Sequence, residues 1–354
     1  MTKIPSFISE VTDDMINAAL SAFQNEKFIL GESVFKFEEE FADYIGTKYA
    51  IAVNSGSSAI QLSLMSLGLK KNADIITSTN SFIASANTIK MANGNPILSD
   101  IHESDGNMDI DSIKNSADGI VPVHIYGNPC DFKKIKDFAD EYNIPIVEDA
   151  CQAHGAKFED KKVGSLGDLG CFSFYPTKNM TVGGDGGMVT TNNEELAKIV
   201  TSLRDNGRND TNRALHERFG FTMRLNTINA AIGRVELKDL DRKNQRRKEI
   251  YNLYKKHLNQ NILLSPNPNG ESVFHQIVIK HKKRDEIKTH LEQNGISTII
   301  HYPIPIHKQP IYLPQKYSLP NSERFSQQIL SLPSYPQLSN NEIIQICEKI
   351  NQII

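Results

Sequence analysis

"SFYPTKNMTVGGDGGMVT", residues Ser173–Thr190, places a lysine between an aromatic strand and a run of four glycines in five residues. A solvated surface lysine needs no such setting. The run lacks the Gly-Lys-Ser/Thr ending of a phosphate-binding P-loop, and the lysine precedes the glycines. A tight turn packed under a ligand is the better interpretation, because glycine lets the backbone pack closely. We therefore expect this lysine, Lys178, to reach a buried ligand.

The segment around this stretch, from about residue 33 to residue 200, alternates short apolar strands with amphipathic helices. Val34, Phe37, Phe41 and Ile45 have helical spacing, for example, and the apolar run YAIAV follows them. This alternation predicts an α/β fold with a mostly parallel sheet sandwiched by helices. Ligands bind beyond the carboxyl ends of the strands in such sheets, so the residues after each strand are the candidates for chemistry.

The C-terminal third of the chain has a different organisation. A long predicted helix begins at about Ile228, and the segments SVFHQIVIK, RDEIKTHLEQNG and HYPIPIHKQPIYLP follow it. The chain has 354 residues, which is too long for one compact core. We expect a large domain over residues 1–240 and a smaller C-terminal α+β domain over residues 241–354.

Composition and charge exclude several classes of protein. The formal net charge of −3 argues against non-specific nucleic-acid binding, which needs a basic surface. Four cysteines in a chain of this length predict reduced thiols rather than a disulfide framework. The first residues lack a charged head followed by an apolar run, and no stretch approaches the length of a membrane span, so we expect neither a signal peptide nor a membrane segment. A cytoplasmic protein without nucleic-acid or membrane partners is expected.

Two strand-to-helix junctions carry candidate binding residues. Gly56, Ser57 and Ser58 begin a predicted helix, where free N–H groups and hydroxyls suit a phosphate. Plain helix capping by Ser55 or Ser57 explains the same residues. At the next junction, Phe82 fits either the core or a stacking position against a flat ring.

A carboxylate, Asp149, ends the very apolar strand IPIVED. Burying it is costly unless it meets a positive charge, so a ligand contact, a salt bridge and a helix cap all remain open. Cys151 and His154 have the spacing of half a zinc site, but no second pair completes it, and we expect no metal. Ser173 ends the strand that precedes Lys178.

These features together are the parts that hold pyridoxal 5'-phosphate. Its phosphate needs an anion cradle, its ring a flat partner, its pyridinium nitrogen a carboxylate, and its aldehyde a lysine. Four segments then make a specific resemblance, in this order: FILGESVFKFEEEFADYIGTKYAIAVNSGSSAI, VEDACQAHGA, SFYPTKNMTVGGDGGMVT and HYPIPIHKQP. From about Phe28 to Leu338 the chain resembles the DegT/StrS-type sugar aminotransferases. The resemblance implies the type I fold of pyridoxal-phosphate-dependent transferases.

The resemblance also implies a role for each matching residue. Lys178 matches the family's Schiff-base lysine and catalytic base, and Asp149 matches the partner of the pyridinium nitrogen. The other implied cofactor contacts are Gly56, Ser57, Ser58 and Ser173 at the phosphate, Phe82 stacked on the ring, and Gln152 near the ring hydroxyl.

One segment, GFTMRLNTINAAIGR, departs from the family pattern. The family usually has an asparagine two residues before the arginine, and that asparagine reaches the cofactor phosphate of the partner subunit. Here the position is Thr222, whose hydroxyl donates one hydrogen bond but reaches less far. Arg224 then matters more for the cofactor site. The resemblance implies a homodimer with shared active sites.

The implied reaction moves an amino group from an amino acid, most often glutamate, to a keto carbon of a nucleotide-linked (deoxy)sugar. The pairing of SFYP-x-KN with GDGG resembles members that act at ring carbon three. In HYPIPIH, the residues His301, Tyr302 and His307 are candidates for the sugar hydroxyls or the diphosphate. A proline-stiffened surface loop with a structural tyrosine explains the same segment equally well.

Three alternatives remain beside the aminotransferase. Sugar dehydratases of the same family carry histidine at the lysine position, so Lys178 favours the aminotransferase. A desulfurase needs a nucleophilic cysteine in a mobile loop, whereas Cys130 and Cys151 lie beside predicted elements. A non-catalytic sensor or scaffold with the same fold would not need Lys178, Asp149 and Phe82 together.

Overall fold

The computed structural model describes residues 3–212, 214–258, 262–314 and 317–354. The helices are α1 (Asp13–Asn25), α2 (Glu32–Ile45), α3 (Gly56–Ser66), α4 (Ala84–Met91), α5 (Phe132–Tyr142), α6 (Glu194–Arg204), α7 (Thr227–His257), α8 (Arg284–Gln293), α9 (Pro320–Gln328) and α10 (Asn340–Asn351). The strands are β1 (Tyr49–Val53), β2 (Asp74–Ser78), β3 (Asn95–Ser99), β4 (Gly119–Val121), β5 (Val147–Asp149), β6 (Lys157–Phe158), β7 (Lys161–Lys162), β8 (Leu169–Ser173), β9 (Gly187–Thr191), β10 (Gly270–Glu271), β11 (Ile277–Lys280) and β12 (Ile329–Leu332).

The main sheet has the strand order β1-β9-β8-β5-β4-β2-β3. Single parallel bridges, Ile120 to Ile146 and Val123 to Asp149, join its two halves between β4 and β5. Only β9 runs against the other strands of this described sheet. The prediction of a mostly parallel sheet is confirmed. Parallel strands send their carboxyl ends to one edge, and that edge holds the candidate site.

Neighbouring residues of a strand point to opposite faces of the sheet, and both faces here carry apolar side chains. Helices cover both faces. In β1, Ala52 packs with α2 and α7, whereas Ile51 and Val53 pack with α3 and α6. Helix α2 buries the predicted spacing of Val34, Phe37, Phe41 and Ile45, which confirms that helix.

Helix α7, with 31 residues, leads from the large sheet into a second hydrophobic core around β11 and β12. Ile4 lies in this second core, where its N–H donates to Gly295 O at 2.9 Å and its carbonyl accepts from Ser297 N at 2.9 Å. We propose that α7 joins the large and small domains, with residue 240 inside it. The N-terminal segment then crosses to the small domain.

Two further findings concern the whole described chain. Among the described helices, none has both the length and the apolar composition that crossing a membrane requires. The four cysteines are Cys130, Cys151, Cys171 and Cys347, and all carry free thiols.

Candidate active site

A cavity of about 470 Å³, which we call the large cavity, opens at the carboxyl ends of β5 and β8. It collects residues from segments far apart in sequence, because the parallel strands deliver their ends to the same edge. The residues singled out from the sequence that line it are Gly56, Ser57, Phe82, Asp149, Gln152, Ser173, Lys178 and Tyr302.

The N-terminus of α3 forms one wall of the large cavity. Ser55 caps this helix by accepting a hydrogen bond from Ser58 N at 3.0 Å. A side chain at Gly56 would meet Ser173 Cβ at 2.6 Å, so only glycine lets the helix approach β8 this closely. A side chain at Gly187 would lie 2.4 Å from the Ser55 carbonyl oxygen. The glycine-rich turn therefore packs directly beneath the start of α3.

The two serines after Gly56 have different surroundings. Ser57 is exposed and lines the large cavity. Ser58 is buried, and its hydroxyl donates to Asn54 Oδ1 at 2.6 Å, so it stabilises the loop before α3. The structure thus combines helix capping with an open helix N-terminus that has room for an anion.

Asp149 is 5% exposed at the end of β5. Its Oδ2 accepts from the Ser85 hydroxyl at 2.8 Å, and its Oδ1 accepts from Cys151 N at 3.2 Å. No basic side chain among the described residues forms an ion pair with it. A buried carboxylate at a cavity wall without a cationic partner is suited to a cationic ligand group.

Sequence analysis missed Ser85. The available signal was its position in the first turn of α4, three residues after Phe82 at the same strand-to-helix junction.

Lys178 is half-buried and lines the large cavity. Its backbone N–H donates to Tyr175 O at 2.8 Å, which fixes the turn that carries it. Burial lowers the pKa of Lys178, and the nearby Cys151 and Asp149 only partly oppose this shift. A lowered pKa makes the neutral, nucleophilic amine more abundant near pH 7.

Gln152 and Tyr302 close another side of the large cavity. Gln152 Oε1 accepts from Tyr126 N at 2.8 Å, and its amide donates to the Tyr302 hydroxyl at 3.1 Å. Phe82 is 56% exposed, and its ring centroid lies 6.3 Å from that of Tyr302. An aromatic ring left open at a cavity wall can pack on a flat ligand.

The segment HYPIPIH divides among three places. Tyr302 lines the large cavity, whereas His301 faces a smaller neighbouring cavity and lies with Nδ1 3.0 Å from Ser331 Oγ. His307 is 3% exposed, with Nδ1 2.7 Å from Thr79 Oγ1 and Nε2 3.3 Å from Glu323 Oε1. His307 therefore joins this segment to Thr79, the residue that follows β2 of the main sheet.

Thr222 and Arg224 are not among the residues that line the large cavity of the single chain. The Thr222 hydroxyl donates to Asn206 Oδ1 at 3.2 Å, and Arg224 Nη1 donates to Asp205 Oδ1 at 2.9 Å. Their predicted role at the cofactor site of a partner subunit stays a prediction.

The described residues contain no group of three side chains that could bind a metal ion. His154, of the considered half-site, is fully buried with its ring 5.5 Å from Phe172 and 5.8 Å from Phe174. Burial, and then the nearby Lys178, lower the pKa of His154 to about 3. It packs as a neutral core residue.

Comparison with known proteins identifies the family. A model of the DegT/DnrJ/EryC1/StrS aminotransferase family matches residues 9–351. The chain is 37% identical to the dTDP-3-amino-3,6-dideoxy-alpha-D-galactopyranose transaminase of Aneurinibacillus thermoaerophilus, over 92% of this chain and 91% of that one.

Solved structures agree with this match. S. venezuelae DesV is 34% identical with a TM-score of 0.91, and the match covers 96% of this chain and 93% of that chain. NtdA of Bacillus subtilis, with the cofactor PMP bound, is 29% identical with a TM-score of 0.89, covering 97% of this chain and 83% of that chain. The chain belongs to the DegT/DnrJ/EryC1/StrS aminotransferase family.

Proposed function

We propose that this aminotransferase uses pyridoxal 5'-phosphate to move an amino group from an amino acid to a keto carbon of a nucleotide-linked (deoxy)sugar. Glutamate is the expected donor. The observation that carries the proposal is the large cavity, which brings Lys178, Asp149, Phe82 and the N-terminus of α3 to one place. The Aneurinibacillus relative is named as a transaminase of a dTDP-linked sugar, which supports the nucleotide-linked substrate.

The residues present fit pyridoxal phosphate. The N-terminus of α3, with Gly56 and Ser57, suits the phosphate, and Ser173 lies beside it. Asp149, with no cationic partner among the described residues, suits a protonated ring nitrogen. The open ring of Phe82 supplies the flat partner, and the bound PMP of the NtdA structure supports this assignment.

Two residues of the chain, Asp149 and Lys178, have separate roles in the proposed amino transfer. When bound, the cofactor supplies an electron sink for the pair released at the donor's α-carbon. Asp149 would keep a proton on the ring nitrogen, because its negative charge would favour the charged ring. Lys178 would hold the cofactor through its aldehyde, and its amine, with a lowered pKa, would move the proton at the donor's α-carbon.

We infer ring carbon three as the position that receives the amino group. The GDGG turn at residues 184–187 follows the lysine as in members that act there, and the 37% identical relative makes a 3-amino sugar by name. A shared fold alone would not identify the ring carbon that receives the amino group, because one fold supports many substrates.

A panel of nucleotide-linked keto-sugars with glutamate tests the proposed function. We expect 3-keto substrates to give amino sugars, read by mass, with 2-oxoglutarate formed in equal amount. The cofactor's absorbance should change on adding glutamate alone, because donor and acceptor react in turn. Amination of 4-keto sugars only would contradict carbon three. Loss of water without amination would instead favour the dehydratase.

We further propose a cytoplasmic homodimer. Ile16, Leu20 and Phe23 recur at helical spacing along α1 and are each more than half exposed, with the Phe28 ring 5.4 Å from that of Phe23. A contiguous exposed apolar surface of this kind is typical of an interface. A second copy of the chain is the proposed occupant. The free thiols support a reducing compartment.

Mixed dimers test whether Arg224 acts on the partner's site. Lys178→Ala and Arg224→Ala homodimers should both be weak. In the mixed dimer one site combines an intact Lys178 with an intact Arg224 from the other chain, so mixing should restore about one working site per dimer. Losing a charged hydrogen bond costs about 1.5–3 kcal/mol, which makes Arg224 a better probe than Thr222. Subunit exchange without recovered activity would reject the shared site.

A further inference from the structure

A second cavity, which we call the small cavity, has a volume of about 100 Å³ and adjoins the large one. The two cavities share Gln152, Thr177, Lys178 and Tyr302 as walls. Its other walls come from the small domain and from the N-terminal segment, which contributes Phe7. The small cavity therefore touches the reactive lysine but has room only for a small group, not for a nucleotide.

A buried positive charge lies behind the small cavity. Arg247 of α7 is 3% exposed, and its guanidinium donates to the carbonyl and the hydroxyl of Ser334, a wall residue of the cavity. Arg247 and Lys178 also line one narrow cleft. The acidic residues of this cleft, Glu10 and Glu236, both form ion pairs with Lys243, at 3.2 and 2.8 Å.

Arg247 differs from other buried cations of the described chain in its lack of an acidic partner. Arg204 is equally buried but is paired with Glu38. Among the described residues, Arg247 has no acidic partner, whereas an Nε without a hydrogen-bond partner is common to both arginines. A buried charge without a counter-charge is costly, so a ligand anion is the expected compensation.

Neutral hydrogen-bonding groups complete the small cavity. Burial and the nearby Lys178 lower the pKa of His301 to about 4, and burial, Lys178 and Arg247 lower the pKa of His275 well below its ordinary value. Both imidazoles are neutral near pH 7. Each offers hydrogen bonds without adding charge, as Gln276 also does.

We propose that the small cavity binds a carboxylate of the amino-acid donor, with Arg247 supplying the positive charge behind Ser334. The donor's amino group would then lie at Lys178, the wall that the two cavities share. The large cavity is left to the cofactor and the sugar. This inference rests on the proposed function, because it assumes an amino-acid donor.

Glutarate, a dicarboxylate without an amino group, is the probe, and calorimetry on the cofactor-loaded protein is the measurement. Arg247→Met should weaken glutarate binding about 10-fold or more, because the small cavity loses the positive charge behind Ser334. Arg246→Met is the matched control, because this neighbouring arginine of α7 also holds the C-terminal segment, donating to Leu338 O at 2.6 Å. Its glutarate affinity should stay near that of the unmodified protein. Equal losses in both variants would show a structural role and overturn the proposal.

Kinetics and an uncharged analogue give two further readouts. Arg247→Met should raise KM for glutamate while leaving KM for the sugar nearly unchanged. If that variant does not fold, the unmodified protein decides, because pentane-1,5-diol binding as tightly as glutarate would overturn the proposal. If the protein aminates nucleotide sugars but its glutarate binding does not depend on Arg247, only the carboxylate site is refuted. If glutarate binding depends on Arg247 but the protein aminates no nucleotide sugar, only the proposed function is refuted.

Discussion

Replacing Lys178 by alanine is expected to lower amino transfer by about 10⁴-fold or more. A single general acid–base contributes about 10²–10⁴-fold, and this amine also forms the covalent bond to the cofactor. The measurement is the steady-state rate with glutamate and a keto-sugar. In the unmodified protein, borohydride reduction followed by peptide mapping should place the pyridoxyl label on Lys178.

Lys162→Ala is the matched control for this variant. Burial lowers the pKa of Lys162 too, but its ammonium lies 3.6 Å from the centroid of the Tyr44 ring and outside the large cavity. It should transaminate at close to the unmodified rate. A label on a lysine other than Lys178, or a Lys178→Ala rate within tenfold of the original, would remove Lys178 from the mechanism.

Most of the large sheet could be predicted from sequence because its buried strands are short apolar runs. YAIAV and IPIVED are runs of this kind and correspond to β1 and β5. The predictions omitted β3 and β9. Pro96 is the second residue of β3, and Gly187 begins β9, so each strand has a residue that normally indicates a turn at or next to its start. In the structure, tertiary pairing outweighs that local preference.

The site could be predicted in part for a similar reason. Strand ends of a parallel sheet converge, so residues that follow separate strands, such as Asp149 and Lys178, could be expected in one cavity. His307 could not be placed, because its partner Thr79 is 228 residues away and nothing local in HYPIPIH indicates that contact. Arg247 gave no signal either, since its missing acidic partner is a property of packing.

Replacing Asp149 by asparagine should leave cofactor binding largely intact and lower turnover by about a hundred- to several-thousand-fold. That range corresponds to the loss of about 3–5 kcal/mol when one member of a buried charge pair is removed. Asparagine keeps the shape and can still accept the 2.8 Å hydrogen bond from Ser85. It removes the charge that would hold a proton on the ring nitrogen. Cofactor content, by absorbance, and the steady-state rate measure the two effects separately.

Asp168→Asn is the matched control, because Asp168 lies at the opposite end of the same pair of strands. Its carboxylate accepts from Ile146 N at 2.8 Å, a hydrogen bond that asparagine can also accept. The rate of this variant should change little. That result would show that the position of the negative charge matters, rather than the loss of one negative charge anywhere.

The absorbance of bound cofactor should titrate at lower pH in Asp149→Asn than in the unmodified protein, because the ring nitrogen loses its stabilising partner. Near-normal turnover of Asp149→Asn would mean that another group holds the ring proton.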